Sequence, residues 1–226
     1  MYKEILRKIV SDEVYIIIEK EVNKELLDYL FENILIKYNS LDKGHGINHI
    51  GKVIDSSIKL SNYFDVNKNM ILTIAVYHDI GMIVERKTHE KHSKNILITD
   101  KELRKWFNEE EIIIMGEACE DHRASNVNEP RTIYGYIISD ADRTTDINDM
   151  IERCYNFSKK NFNDNNEEEI YKRVYNHLRG KYGEGGYAKF YLEESREAIM
   201  KPYLKAQEIL KNEKEFKEIY KIIVSI

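Results

Sequence analysis

Two prolines, Pro130 and Pro202, and ten glycines are all the strong helix breakers in 226 residues. Proline removes a backbone donor and glycine adds unfolded-state entropy, so a chain this poor in both favours long helices over a turn-rich β fold. The apolar pattern agrees. Between 22 and 38, Val22, Leu26, Leu27, Leu30, Ile34 and Leu35 share one helical stripe. After a loop, Asp42-Lys43-Gly44-His45-Gly46, a helix over about 47–63 turns Ile50, Val53, Ile54, Ile58 and Leu60 inward. Residues 69–80 are strongly apolar and end in His78-Asp79-Ile80-Gly81, where the glycine reads as a C-terminal cap. Two helices follow, near 88–98 and 109–120, the second opening on Glu109, Glu110 and Glu111 as a helix N-terminus prefers. Another runs from about 131 into Asp140-Ala141-Asp142-Arg143, and Pro202 suits the first turn of a later one. The expected fold is all-α, a helical bundle with additional C-terminal helices. It reads as a single domain over 1–226, with its core at about 22–160 and an extension at about 161–226.

Composition narrows the function classes. An apolar fraction of 42% against 33% charged residues is a globular balance, not a disordered one. A net charge of −5 argues against broad binding to nucleic acid or anionic membrane, but leaves room for a small anionic substrate at a locally positive site. Cys119 and Cys154 form no CxxC pair and read as free thiols. With no apolar run near the length of a membrane span, and no apolar core behind Met1-Tyr2-Lys3-Glu4, the expected location is the cytoplasm. Oligomeric state stays open, a homodimer included.

The side chains able to bind a metal concentrate between His45 and Asp142. A His-Asp doublet occurs by chance in many proteins, and alone reads as a surface helix end. Here His78-Asp79 closes an apolar helix, where a bare imidazole and carboxylate are costly to bury unless a cation offsets them. His49 lies one turn into the preceding helix, and Asp142 ends a later one. Asp140 and Asp142, two apart on a helix, point in different directions, so only one of them faces a given site.

The phrases HGINHIGKVI, AVYHDIGM, EDHR and SDADR, in that order over residues 45–143, resemble the HD superfamily of metal-dependent phosphohydrolases. The resemblance implies an all-α fold and maps His49, His78, Asp79 and Asp142 onto the four core ligands, choosing Asp142 over Asp140. Some members bind a second metal through extra histidines. His89, four residues before the small Ser93, and His122 match those positions, with His92 as the alternative to His89. The implied cofactor is one or two divalent transition-metal ions, and such a mixed donor set accepts manganese, iron, cobalt, nickel or zinc.

The expected reaction is hydrolysis of a phosphoester or phosphoanhydride in a nucleotide or another small phosphorylated substrate by a metal-activated water. Asp79 would bridge two ions and orient that water. Lys52, on the face of His49, and Arg123, beside His122, would assist catalysis. His45, Arg86, Lys87, Arg143 and Lys181 would contact the substrate, although each of these side chains alone reads as an ordinary solvated or second-layer group. The glycine-rich run from Gly180 to Gly186 reads as a lid over a nucleotide or as a link between helices. The C-terminal tyrosines read as base-stacking rings or as core. Three other functions compete: a di-iron oxygenase of the same fold, a nucleotide-sensing module, and a bundle with incidental histidines.

Overall fold

The computed structural model describes residues 2–41, 46–143, 145–162, 166–195 and 200–225. Over these residues twelve α-helices form and no strand does, so the chain is all-α. It divides into two compact units, Met1–Asp142 and Arg143–Ile226. His45 lies outside the described residues.

The first unit holds α1 (Tyr2–Ile9), α2 (Asp12–Glu21), α3 (Lys24–Tyr29), α4 (Ile47–Ser61), α5 (Lys68–Tyr77), α6 (His89–Thr99), α7 (Glu109–Asp121) and α8 (Ile133–Ala141). The helix expected over 22–38 is α3 followed by a π turn at Leu30–Ile34 and a 3-10 turn at Leu35–Ser40. The inward stripe survives this change: Leu26, Leu27, Leu30, Ile34 and Leu35 are all buried. The 3-10 turn carries Tyr38, whose buried hydroxyl donates to Val76 O at 2.8 Å.

α5 is the axis of this unit. Every residue from Met70 to Tyr77 is buried, the signature of a helix apolar all round and covered all round. α4, α7 and α8 pack against it, and α6 packs on α7. Side chains stop the helices at defined places. Asn67 caps α5, Thr132 caps α8, and Asn108 forms a reciprocal capping box with Glu111 at the start of α7. α5 therefore delivers its C-terminal residues, His78 and Asp79, into the interior instead of onto the surface.

The second unit holds α9 (Ile147–Asn161), α10 (Glu167–Tyr182), α11 (Lys201–Lys211) and α12 (Glu213–Val224). Its boundary falls at 142/143, earlier than the extension expected from about 161, because α9 packs on α10 and α12 of this unit. Tyr171, Tyr175, Tyr182, Tyr203 and Tyr220 lie in its core with Phe216. Tyr175 and Phe216 approach to 4.9 Å between ring centroids. These buried rings are core, and none of them is presented for base stacking. Pro202 sits in the first turn of α11, as expected. The run Gly180–Gly186 begins in the last turn of α10 and leaves it through a hydrogen-bonded turn: Gly186 N donates to Gly183 O and Ala188 N to Lys181 O. Gly185 takes φ 74°, the left-handed region open to glycine.

Candidate metal centre

Six side chains from five helices meet where α5 ends. His49 comes from the first turn of α4. His78, His122 and Asp142 are the C-cap residues of α5, α7 and α8. His89 is the first residue of α6. Asp79 follows His78 with φ −108° and ψ 2°, the sparsely populated bridge region between helix and strand. Three helix C-termini therefore converge, and the negative ends of their dipoles favour positive charge between them.

The approach of α6 to the doublet depends on Gly81. Its N–H donates to Ser93 Oγ at 2.9 Å. A Cβ on Gly81 would stand 2.1 Å from His89 O and 2.6 Å from Ser93 N. Gly81, expected as a C-terminal cap, has negative φ and serves close contact. Ser93, fully buried, is small for the same reason.

The donor atoms form two groups that share Asp79: His49, His78 and Asp79, and then Asp79, His89 and His122. Asp79 Oδ2 lies 3.5 Å from His49 Nε2 and 3.5 Å from His78 Nε2. Asp142 Oδ1 lies 3.1 Å from His49 Nε2 and 3.7 Å from His78 Nε2. On the other side Asp79 Oδ1 lies 3.2 Å from His89 Nε2 and 3.5 Å from His122 Nε2. Two donors that bind one first-row ion at about 2.1 Å stand roughly 3.0–3.4 Å apart. The observed separations are close to that range.

Three histidines are oriented in the same way. Nδ1 of His78, His89 and His122 lies 2.8, 2.9 and 2.6 Å from the carbonyl of Ala75, Arg86 and Cys119, each three residues earlier. A carbonyl can only accept, so Nδ1 carries the proton and Nε2 is turned toward Asp79. Nε2 of His78 is buried and makes no hydrogen bond despite the nearby carboxylates. An unbonded ring nitrogen buried at this point is what a bound cation would satisfy.

Charge is balanced internally. Burial alone would raise the pKa of Asp79 and Asp142, but the surrounding histidines outweigh it and hold both well below the usual carboxylate range. Burial alone would lower His78, yet Asp79 and Asp142 bring it up to about 9. His89 is likewise raised against its burial, chiefly by Asp79, whereas burial keeps His122 below the ordinary value. The cluster is not sealed: the side chains of Asp142 and His89 keep 20% and 13% exposure, the most of the six.

Residues 46–147 match the family model of the HD domain, a span that contains all six donors. That segment, somewhat under half of the chain, is similar to the HD domain. No curated protein and no solved structure matches the chain. HD domains are largely metal-dependent hydrolases, and the His/Asp cluster fits a divalent metal site of that kind.

The matched region brings His49, His78, Asp79, His89, His122 and Asp142 together. His92 points elsewhere: its Nε2 is 4.0 Å from Glu85 on the partly exposed side of α6. Asp140 is completely buried. Lys52, Arg86 and Lys87 are exposed. Arg123, expected to assist catalysis, is bonded within the protein. Its Nη1 donates to Lys87 O at 2.6 Å and to Glu90 Oε2 at 2.9 Å. Arg143 and Lys181 belong to the second unit. Arg143 is buried, with Nε 3.3 Å from Lys189 O, and Lys181 Nζ lies 4.9 Å from the ring centroid of Tyr182.

Glu90 is the residue the sequence reading passes over. It is buried with Ser93 and Leu97 on one face of α6. That spacing is the signal: a carboxylate three and seven residues ahead of inward positions faces inward too, and then requires a cationic partner.

Proposed function

We propose that this chain is a metal-dependent phosphohydrolase that cleaves a phosphoester or phosphoanhydride bond of a nucleotide or another small phosphorylated substrate. The observation that carries this reading is the division of Asp79, with Oδ2 toward His49 and His78 and Oδ1 toward His89 and His122. A carboxylate shared in this way suits two ions. His49, His78, Asp79 and Asp142 would hold the first, and Asp79, His89 and His122 the second.

Divalent ions bound there would lower the pKa of a bound water to about 7 and neutralise charge on the phosphate oxygens. The chain's own residues do the rest. The three Nδ1–carbonyl bonds fix the imidazole rings, so no reorganisation is needed when substrate arrives. Asp79 is ionised at neutral pH and orients the attacking water as an acceptor. The opening beside Asp142 and His89 admits the substrate. Lys52, Arg86 and Lys87, exposed and close in sequence to ligands, supply positive charge to the remaining phosphate oxygens.

The test is phosphate release from a panel of nucleotides and small phosphoesters with added manganese, using Asp79→Asn as the blank. Metal-dependent release that Asp79→Asn abolishes supports the reading. Oxygen consumption by an iron-loaded protein that releases no phosphate would replace it with the oxygenase.

A further inference from the structure

The two histidines of the second donor group come from different helices, and the residue after each one joins those helices. Glu90 follows His89 on α6, Arg123 follows His122 past the end of α7, and Arg123 Nη1 lies 2.9 Å from Glu90 Oε2. The same Nη1 lies 2.6 Å from Lys87 O. One guanidinium therefore holds the chain on both sides of His89. Glu90 is only 6% exposed, and a carboxylate buried to that degree is costly unless paired.

The pair has a second consequence. Glu90 Oε2 lies 3.7 Å from His89 Nδ1, while Arg86 O accepts from that nitrogen at 2.9 Å. Glu90 is thus a rival acceptor within a small side-chain movement. A charged acceptor is a stronger partner than a neutral carbonyl, so an unpaired Glu90 would draw the imidazole round and turn Nε2 away from Asp79. Arg123 prevents this by occupying the carboxylate.

We infer that Glu90 and Arg123 are a positioning pair for the second metal ion: they hold His89 opposite His122 and keep Glu90 from capturing the His89 ring. The inference rests on the binuclear reading of the site. It gives Arg123 a role through His89 and not through the substrate.

The experiment is calorimetric titration of chelator-stripped protein with manganese alone. It compares wild type with Arg123→Ala, the double variant Arg123→Ala/Glu90→Gln, and Arg131→Ala. Arg131 bonds to Asp121 and Glu120 at the end of the same helix α7, so it reports general damage there. Wild type should bind two ions. Arg123→Ala should keep the first at wild-type affinity and weaken the second about 10- to 100-fold, the range for losing an outer partner of a metal ligand. The double variant should recover most of that loss, because the rival acceptor has lost its charge, and Arg131→Ala should leave both affinities unchanged. Recovery in the double variant is not expected of a strut that only stabilises the fold. Arg123→Ala binding both ions like wild type, or losing both in parallel, would overturn the inference, as would a double variant no better than the single one. A wild-type protein that binds one ion only would overturn the binuclear reading itself.

Discussion

His89 Nε2 and His122 Nε2 face each other at 3.3 Å from the ends of two different helices. Each ring's Nδ1 donates to a backbone carbonyl, so each Nε2 presents a lone pair when its ring is neutral. Two lone pairs at that separation repel unless a proton or a cation lies between them. The raised pKa of His89 and the lowered one of His122 describe the first arrangement, with the proton on His89 shared toward Asp79 and His122. A bound metal ion is the second arrangement, and it must displace that proton.

His122→Ala should therefore remove one ion and leave the other. The loss in affinity for the second ion should exceed the roughly 10- to 100-fold that follows removal of an outer-shell partner. Elemental analysis after equilibrium dialysis reads the change as a fall from two equivalents toward one. An unchanged stoichiometry would take His122 out of the site.

Metal binding should release protons near pH 7. His78, up at about 9 in the metal-free protein, is charged at neutral pH and must be neutral to bind a metal through Nε2. The binding enthalpy should then depend on the ionisation enthalpy of the buffer. The same shift predicts a stability trend for the metal-free protein. A folded pKa above the unfolded value of about 6.5 stabilises fully below that pH. The contribution is lost as pH rises through about 9, so the melting temperature of the stripped protein should fall between those limits. A melting temperature that rises across that window would contradict the assignment.

Gly81→Ala should harm both fold and site. The added methyl would meet the His89 carbonyl at 2.1 Å, a backbone atom that cannot swing aside. Forcing α6 outward should cost about 1–3 kcal/mol, the usual range for overpacking. It should also lower affinity for the second ion more than for the first, because His89 moves with α6. Thermal denaturation and metal titration of the same variant check the two effects.

Much of this was legible in the sequence because the informative residues sit at helix ends. His49, His78, Asp79 and Asp142 each occupy a short polar phrase at one end of an apolar helix, and such a phrase stands out. The choice between His89 and His92 was not legible, since the two share a helical face. Tertiary contact separates them: Gly81 admits the start of α6 to the doublet, so His89 reaches Asp79 while His92 turns toward Glu85. The π turn at Leu30–Ile34 was hidden for a similar reason. Its apolar stripe keeps helical spacing, and only the rewinding shows how the turn brings Tyr38 to Val76. Glu90 and Arg123 were visible as charges, but their pairing joins residues 33 apart and appears only in three dimensions.

Metal counted per chain, in protein purified without chelators and after manganese reconstitution, tests the central claim most directly. The account predicts two equivalents in the wild type. It predicts none in Asp79→Ala, whose far-ultraviolet helical signal should stay close to wild type because Asp79 lies past the end of α5 and its side chain closes no helix's backbone hydrogen bonds. A wild type that takes up no metal, or an Asp79→Ala protein that retains the full complement, would contradict it.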